Sequence, residues 1–461
     1  MAPPLSTVAP PELDWKGDDV TIGDVLNALN EARRKFAYAA RSEGDDHPHP
    51  RNCVMTLIAV APDEKREDFA LRSAMDIATH HPSLAIVIRD QPNIRQGLIR
   101  ATVSAHPVSG PFNKPAPCEL VTLHVHGGAG SHLDALVDPL LVSGVPTYLW
   151  WLGTPEFGSE ELHDAVKICD ALVIDSSTFE RPYQSFIGLA NLVDRSHKRL
   201  GVADFQWVRL TPWRETIAQF FATSDRTELM RSISEVGIDY AGEGRGNRVA
   251  AALLLGWLAS ALDWKLQRAV AGTGGVVSAI YQADGWRTVE VAFRSVPRSH
   301  LVGGEISSVR IAGAAPSTSF KFSIERDPDR ERHGEGGEFR RVHTTGGEDE
   351  AGMEIARRRA EKHRDVVTNN RESLHHTNTG DPPGESVPAQ PTVLPTERRR
   401  ADTSDVMLTK IDIGDARTLR HVQRVPEMSE AAMLLELLSG RARDQVYNRA
   451  LGRAAELMRK L

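Results

Sequence analysis

Between residues 50 and 221, short apolar runs alternate with segments of helical period, and this alternation limits the fold more than any other feature of the 461-residue chain. "RNCVMTLIAVA", "SLAIVIRD", "CELVTLHVHG", "VPTYLWWLG" and "DALVIDSS" read as strands. "REDFALRSAMDIATHH", "SHLDALVDPLLVSG", "SEELHDAVKIC" and "RPYQSFIGLANLVDRSH" read as the helices between them. Crossovers of this length imply a mostly parallel sheet covered on both faces. Uninterrupted apolar strands at 85–88 and 171–174 fit burial on both sides. "DFQWVRL" (204–210) is expected to be the next strand, with Thr211 as cap and Pro212 at the first position of the helix that follows.

After residue 267 the period changes. "GGVVSAIYQ", "WRTVEVAFRSV", "GGEISSVRIAG" and "STSFKFSIERD" alternate apolar and polar residues, the pattern of an antiparallel sheet with one covered face. The long apolar run "VAAALLLGWLASALDW" (249–264) is shorter than the roughly 20 residues of a membrane span. With Arg245 and Arg248 before it and Asp263 inside it, the run reads as a buried core helix. The fold class is therefore α/β, a mostly parallel N-terminal domain followed by an α+β domain with antiparallel strands and a C-terminal helix. The expected organisation is a disordered N-terminus (1–20), an α/β domain (21–225), an α+β domain (226–330), a disordered charged insertion (331–403) and a closing strand and amphipathic helix (404–461) that complete the second domain. The insertion combines many charges, clustered prolines and few large apolar residues. In the tail, Tyr447, Leu451, Ala454, Met458 and Leu461 share one helical face, which must dock on the chain itself or on a partner.

A net charge of −7 gives no overall bias toward nucleic acid or membrane. Three widely spaced cysteines without a CxxC pair suit reduced thiols, and the N-terminus lacks the basic and apolar regions of a secretory signal, so a cytoplasmic protein is expected.

Several stretches could carry chemistry. Gly127, Gly128 and Gly130 lie between a strand and a helix that Ser131 would cap, a place where glycines can hold an anion. No Walker lysine follows, and Leu133 breaks the GxGxxG spacing, so a simple strand-to-helix turn reads as well. Arg245 and Arg248, placed against the dipole of the helix they precede, need carboxylates or an anionic ligand. His124 and His126 share one strand face but lack a third ligand, so no metal site is assigned. Asp175, Ser176 and Ser177 follow a buried strand, where they can be active groups or a helix cap. No nucleophile elbow, metal cage or phosphate loop appears, and no cofactor is expected.

The stretch "DFQWVRLTPWRE" (204–215) stands out because it concentrates Trp207, Arg209, Trp213, Arg214 and Glu215. Trp and Arg are enriched at interface hot spots, and they also serve in cores and ligand stacking. Together with "HPRNCVMTLI" (49–58), "VPTYLWWLG" (145–153) and "LLLGWLASALDW" (253–264), this stretch resembles the OpcA family of glucose-6-phosphate dehydrogenase assembly proteins. The resemblance covers roughly residues 48–310, and "ARDQVYNRALGRAAELM" is similar to the family's C-terminal helix.

The resemblance implies a non-catalytic accessory protein, with glucose-6-phosphate dehydrogenase as partner and no membrane or nucleic-acid role. It would promote assembly or allosteric activation of that enzyme in the oxidative pentose phosphate pathway. The five residues of 207–215 are then candidates for a partner-binding surface or its support. The alternative is a sugar-phosphate enzyme, lactonase or isomerase, using Asp175, His124 and His126. A metabolite effector bound at Gly127, Gly128, Gly130, Arg245 and Arg248 is compatible with the accessory reading.

Overall fold

The computed structural model describes residues 13–42, 53–91, 98–109, 115–127, 132–196, 199–223, 226–242, 247–298, 301–316, 318–326, 405–414, 417–425, 428–439 and 444–461. The insertion expected at 331–403 lies outside them, as do Gly128, Gly130, Ser131 and Arg245.

The first half contains β1 (Leu13–Gly17), α1 (Ile22–Ser42), β2 (Met55–Ala61), α2 (Glu64–Ala78), β3 (Ser83–Gln91), β4 (Ile99–Ser109), β5 (Pro115–His126), α3 (Leu133–Val137), β6 (Thr147–Trp151), α4 (Glu160–Lys167), β7 (Ala171–Ile174), α5 (Pro182–Arg195), β8 (Gly201–Asp204), α6 (Phe205–Arg209), α7 (Thr211–Phe221) and α8 (Thr227–Arg231). Its strands form one sheet in the order β1-β4-β5-β3-β2-β6-β7-β8. From β5 to β8 all neighbours are parallel, and β4 and then β1, the edge strand, extend the sheet by antiparallel pairing. Among the parallel strands, chain order gives 3-2-1-4-5-6, the doubly wound Rossmann arrangement, and the order reverses between β2 and β6.

The second half contains β9 (Ile233–Ala241), α9 (Val249–Ala261), β10 (Lys265–Ala271), β11 (Val277–Gln282), β12 (Thr288–Val296), β13 (Ile306–Ala314), β14 (Ser319–Arg326), β15 (Asp405–Ile413), β16 (Arg417–Val425), α10 (Glu430–Ser439) and α11 (Gln445–Arg459). Its sheet runs β10-β11-β12-β9-β13-β14-β15-β16 and is antiparallel except where β12 meets β9. The α/β class with a parallel and then a largely antiparallel sheet is thus the observed one. Both sheets fall within one compact unit, and α11 packs on α5 and α9.

Three expectations change. The N-terminus expected to be loose contains β1, whose alternating backbone groups pair with β4 through Leu13–Ala105 to Gly17–Ala101. The strand expected at 204–210 is instead the end of β8 followed by α6. Asp204 accepts the Gln206 amide at 3.0 Å, a cap that starts a helix directly after the strand. Helical spacing then sends Phe205 and Val208 to one core cluster and Trp207 and Leu210 to the other. Thr211 does not cap α7: the preceding Leu210 is already helical, and the Thr211 hydroxyl accepts from Arg214 at 2.8 Å.

The apolar run is the core helix α9, buried from Val249 to Gly256 and again at Leu258 and Ala259. It is hydrophobic on all sides because α5, α6, α11 and β9 surround it. At Gly256 the backbones of α9 and α11 nearly touch, and a Cβ there would collide with the Ala450 carbonyl oxygen. Substituting Gly256→Val should destabilise the fold by about 1–3 kcal/mol, because a packed helix pair cannot open locally. Thermal or urea denaturation, with Gly452→Ala in α11 as a substitution into open space, should show the difference.

Candidate functional site

In a doubly wound sheet, ligands bind outside the carboxyl ends of the strands at the point where strand order reverses. Here that point is the turn from β2 into α2, and its residues are Pro62, Asp63, Glu64 and Glu67 rather than glycines. The Asp63 carboxylate accepts the Arg66 amide at 2.8 Å, occupying the amide donors that would hold a phosphate. Glu67 is buried, paired with Arg89 at 2.9 Å and bonded to His124 Nε2 at 2.6 Å. Asp63, Glu64 and Glu67 thus stand at the turn where this strand order commonly carries a glycine-rich phosphate loop.

His124 is engaged by Glu67, and its strand neighbour His126 is buried. Burial, reinforced by Arg100, pushes the His126 imidazole below its ordinary range and keeps it neutral. Gly127 has φ +72°, a conformation natural to glycine. Arg248, a candidate for holding an anion, is buried: its Nε donates to the Tyr240 hydroxyl at 2.9 Å and its guanidinium lies 5.7 Å from the Tyr183 ring centre.

The carboxyl ends of β7 and β8 carry a second group of polar side chains. Arg209 grips both Asp175 oxygens at 2.8 Å and reaches the Ser177 hydroxyl at 3.1 Å. Burial pushes the Asp175 carboxyl upward, but the Arg209 and Ser177 donors outweigh it and hold the group below the usual range. Asp175, Arg209, Gln206, Asn247, Gly304 and Glu430 line a cleft of about 200 Å³. Within it Asn247 donates to the Ser177 carbonyl and accepts from the Val249 amide, so its side chain serves the loop. Asp175 is ionised and locked, an arrangement suited to holding two strand ends together rather than to moving a proton.

Beside this cleft, Asp204 is 1% exposed and receives four donors: the amides of Ser176 and Gln206 at 3.0 Å, the Ser176 hydroxyl at 2.6 Å and the Tyr447 hydroxyl at 3.0 Å. Tyr447 comes from α11, so the C-terminal helix docks on the end of β8. A second link is made by Trp207, whose indole donates to Asp444 at 2.8 Å and whose ring meets Tyr447 edge to face at 5.5 Å. The other Asp444 oxygen caps α11 through the Val446 and Tyr447 amides. Arg214 lies 3.6 Å above the Trp207 ring and donates to the Trp207 carbonyl. Burial pushes the Arg214 guanidinium down to about 10, so it remains charged at neutral pH.

Of the five residues marked in the sequence, Trp207 and Trp213 are buried, Arg214 covers Trp207, Arg209 faces the cleft and Glu215 is exposed. Trp213 lies in the main core under Arg326 of β14, and Phe220 of α7 stacks on Phe322 of the second sheet at 4.8 Å. The two tryptophans are support rather than exposed surface, because their partners lie in the C-terminal helix and the second sheet. Tyr447 and Asp444 were missed as site residues. The sequence signals are the amphipathic face, which marks Tyr447 as docking but not on what, and the Asp-Gln start of the tail helix, which marks Asp444 as a cap but not as an indole acceptor.

Burial pushes the Asp204 carboxyl up to about 6, against the lowering by its Ser176 and Gln206 donors. The folded state therefore holds a proton that the unfolded chain, with an ordinary carboxyl near 3.9, has released. This group's contribution to stability should fall as pH rises from about 4 to about 6, by at most about 1.4 kcal/mol per pH unit. Asp204→Asn, which keeps the shape, should flatten that part of the profile, as urea unfolding at several pH values would show.

Two family models match the chain: the glucose-6-phosphate dehydrogenase subunit N-terminal domain over residues 74–191 and the corresponding C-terminal domain over residues 200–451. Among curated relatives, the OxPP cycle protein OpcA of Nostoc punctiforme is 28% identical over 291 residues, covering 61% of this chain and 59% of the relative. The protein of the same name from Synechocystis is 31% identical over 190 residues, 41% of this chain and 38% of the relative. The match to the one from Synechococcus elongatus is 26% identical over 273 residues, covering 54% and 60%. The chain thus spans at most 60% of the length of these curated relatives. A solved structure with some likeness is the UDP-N-acetylglucosamine 3-dehydrogenase GnnA from Acidithiobacillus ferrooxidans, with TM-score 0.39, 8% identity and coverage of 88% of this chain and 97% of that one. With one of the two family models spanning more than half of its length, the chain belongs to the OpcA family of glucose-6-phosphate dehydrogenase subunit proteins.

Proposed function

We propose that the chain is a non-catalytic accessory protein that binds glucose-6-phosphate dehydrogenase and promotes its assembly or allosteric activation in the oxidative pentose phosphate pathway. Membership of the family and the names of its relatives support the pathway and the partner. The observation that carries the non-catalytic part is the use of the polar groups at the strand ends. Asp175 is held by Arg209, Asp204 by four donors, His124 by Glu67, and Trp207 by Asp444. The enzyme alternative needs Asp175 or the histidines as proton carriers, and the bonds they make leave them poorly placed for that task.

An accessory protein of this kind acts by differential affinity. It binds the active conformation or oligomer of its partner more tightly than the inactive one and shifts the population by that difference. The absence of any Lys or Ser nucleophile from this scheme is no handicap, since no bond in a substrate has to be broken by the chain itself. No helix among the described residues is long and apolar enough to cross a membrane. A cytoplasmic location, beside the dehydrogenase, is part of the proposal.

The decisive assay is dehydrogenase kinetics at limiting glucose 6-phosphate, using the enzyme from the same organism with and without an equimolar amount of the chain. The expected outcome is a lower apparent substrate constant or a higher rate, with no turnover of phosphogluconolactone by the chain alone. An unchanged rate together with separate elution of the two proteins would overturn the accessory reading, and lactone hydrolysis by the chain would replace it with the enzyme one.

A further inference from the structure

The second sheet has one covered and one open face among the described residues. Val236, Val291, Ile311, Phe322 and Ile324 alternate inward to the main core. Their neighbours along the strands, such as Glu235, Glu290, Lys321, Glu325 and Lys410, are exposed on the other side. The four adjacent strands at its β16 end, β13 to β16, each of eight or nine residues, span roughly 450 Å², the size of a small, transient interface rather than a standard one of about 800 Å² per partner. In its middle the Arg310 side chain lies across Gly237, with the small residues Ala292 and Ala312 on the neighbouring strands.

At the centre, Asp239 accepts from Arg294 through two nitrogens, from Arg310 through two more at 2.7 and 2.9 Å, and from the Ser308 hydroxyl at 3.0 Å. Burial pushes its carboxyl up, but the Arg310 and Arg294 donors outweigh this and hold it at about 2. Two guanidiniums on one carboxylate leave a positive excess in a fixed geometry. Toward the β16 edge, Lys321, Lys410 and Arg420 add to Arg310 and outnumber Glu325 and Asp412. Leu408 and Val422 lie opposite each other among these charges and are 37% and 54% exposed. The basic half-face belongs to a chain whose net charge is −7. Two copies brought together through it would oppose like charges, whereas an acidic surface would be drawn to it.

We propose that the open face of this sheet, from β13 to β16, is the docking surface for the dehydrogenase, which would present a flat acidic patch around a small apolar contact for Leu408 and Val422. The inference rests on the partner reading given above. It places the interface away from the tryptophan-rich segment, whose aromatic side chains are committed to holding α11 and the second sheet.

The test uses the full chain and the dehydrogenase from the same organism, with affinity read by biolayer interferometry at low and high salt. Wild type should bind more weakly as salt rises. The triple variant Lys321→Glu, Lys410→Glu, Arg420→Glu should bind at least tenfold more weakly. Val422→Asp, which leaves the basic residues in place, should also weaken binding. Lys16→Glu, Lys35→Glu, Lys65→Glu, the same charge change elsewhere on the surface, should bind as wild type does. Circular dichroism and thermal melting establish that each variant is folded. If wild type binds and both face variants bind equally well, the docking surface is wrong while the partner reading stands. If wild type does not bind at all, the partner reading falls and this inference with it. If the chain alone forms dimers that the face variants disperse, the surface belongs to a second copy, and the dehydrogenase is not its occupant.

Discussion

The buried carboxylate of Asp204 is the point on which the arrangement of this protein turns. A single side chain receives donors from the turn after β7, from the first turn of α6 and from the C-terminal helix. An unpaired carboxylate at 1% exposure would be strongly unfavourable, so each donor is needed to keep the group there. The chain thereby ties residue 447 to residue 204 and brings α11 against α9, where Gly256 and Ala450 allow the backbones to meet. The Trp207–Asp444 bond repeats the same tie a few ångströms along the same two elements, and Arg214 closes over the indole.

The consequence for function follows from where polar groups are used. The strand order of the first sheet is that of dinucleotide-binding proteins, yet the turn that would hold the pyrophosphate carries Asp63, Glu64 and Glu67. The carboxyl ends of β7 and β8, the other natural place for chemistry, carry ion pairs and caps. At the strand ends of a fold shared with many enzymes, Asp175, Asp204 and Glu67 are engaged by internal bonds, and among the described residues the second sheet has one exposed face. That distribution supports the accessory role proposed above.

Much of the architecture was legible in advance because it depends on local periodicity. The continuous apolar strands, the helices between them, the change to a two-residue period after 267 and the buried nature of 249–261 all follow from the spacing of apolar side chains. The strands β1, β4, β9, β10 and β16 were not anticipated. β1, β10 and β16 are edge strands with a weak period, while the interior strands β4 and β9 mix polar and charged residues into their runs, and pairing with distant neighbours decides all of them. Phe205 to Leu210 failed for a related reason: aromatic and β-branched residues favour a strand, and only the cap made by Asp204 turns the segment into a helix.

The marked segment shows the same division. Its composition singled out Trp207, Arg209, Trp213 and Arg214, and all four do take part in close contacts. Whether those contacts are with a partner or with the chain itself is a matter of burial, and burial depends on residues as far as 237 positions away. By itself, then, the sequence determined the element types, the two sheet classes, the amphipathic tail and the family. Only the tertiary structure decided that Asp204 meets Tyr447, that Trp207 meets Asp444, that the β2–α2 turn lies where the strand order reverses and that, among the described residues, one sheet face is exposed. The physical reason is range: periodicity is set by neighbours a few residues apart, whereas burial and hydrogen-bond partnership are set by which distant elements the packed chain brings together.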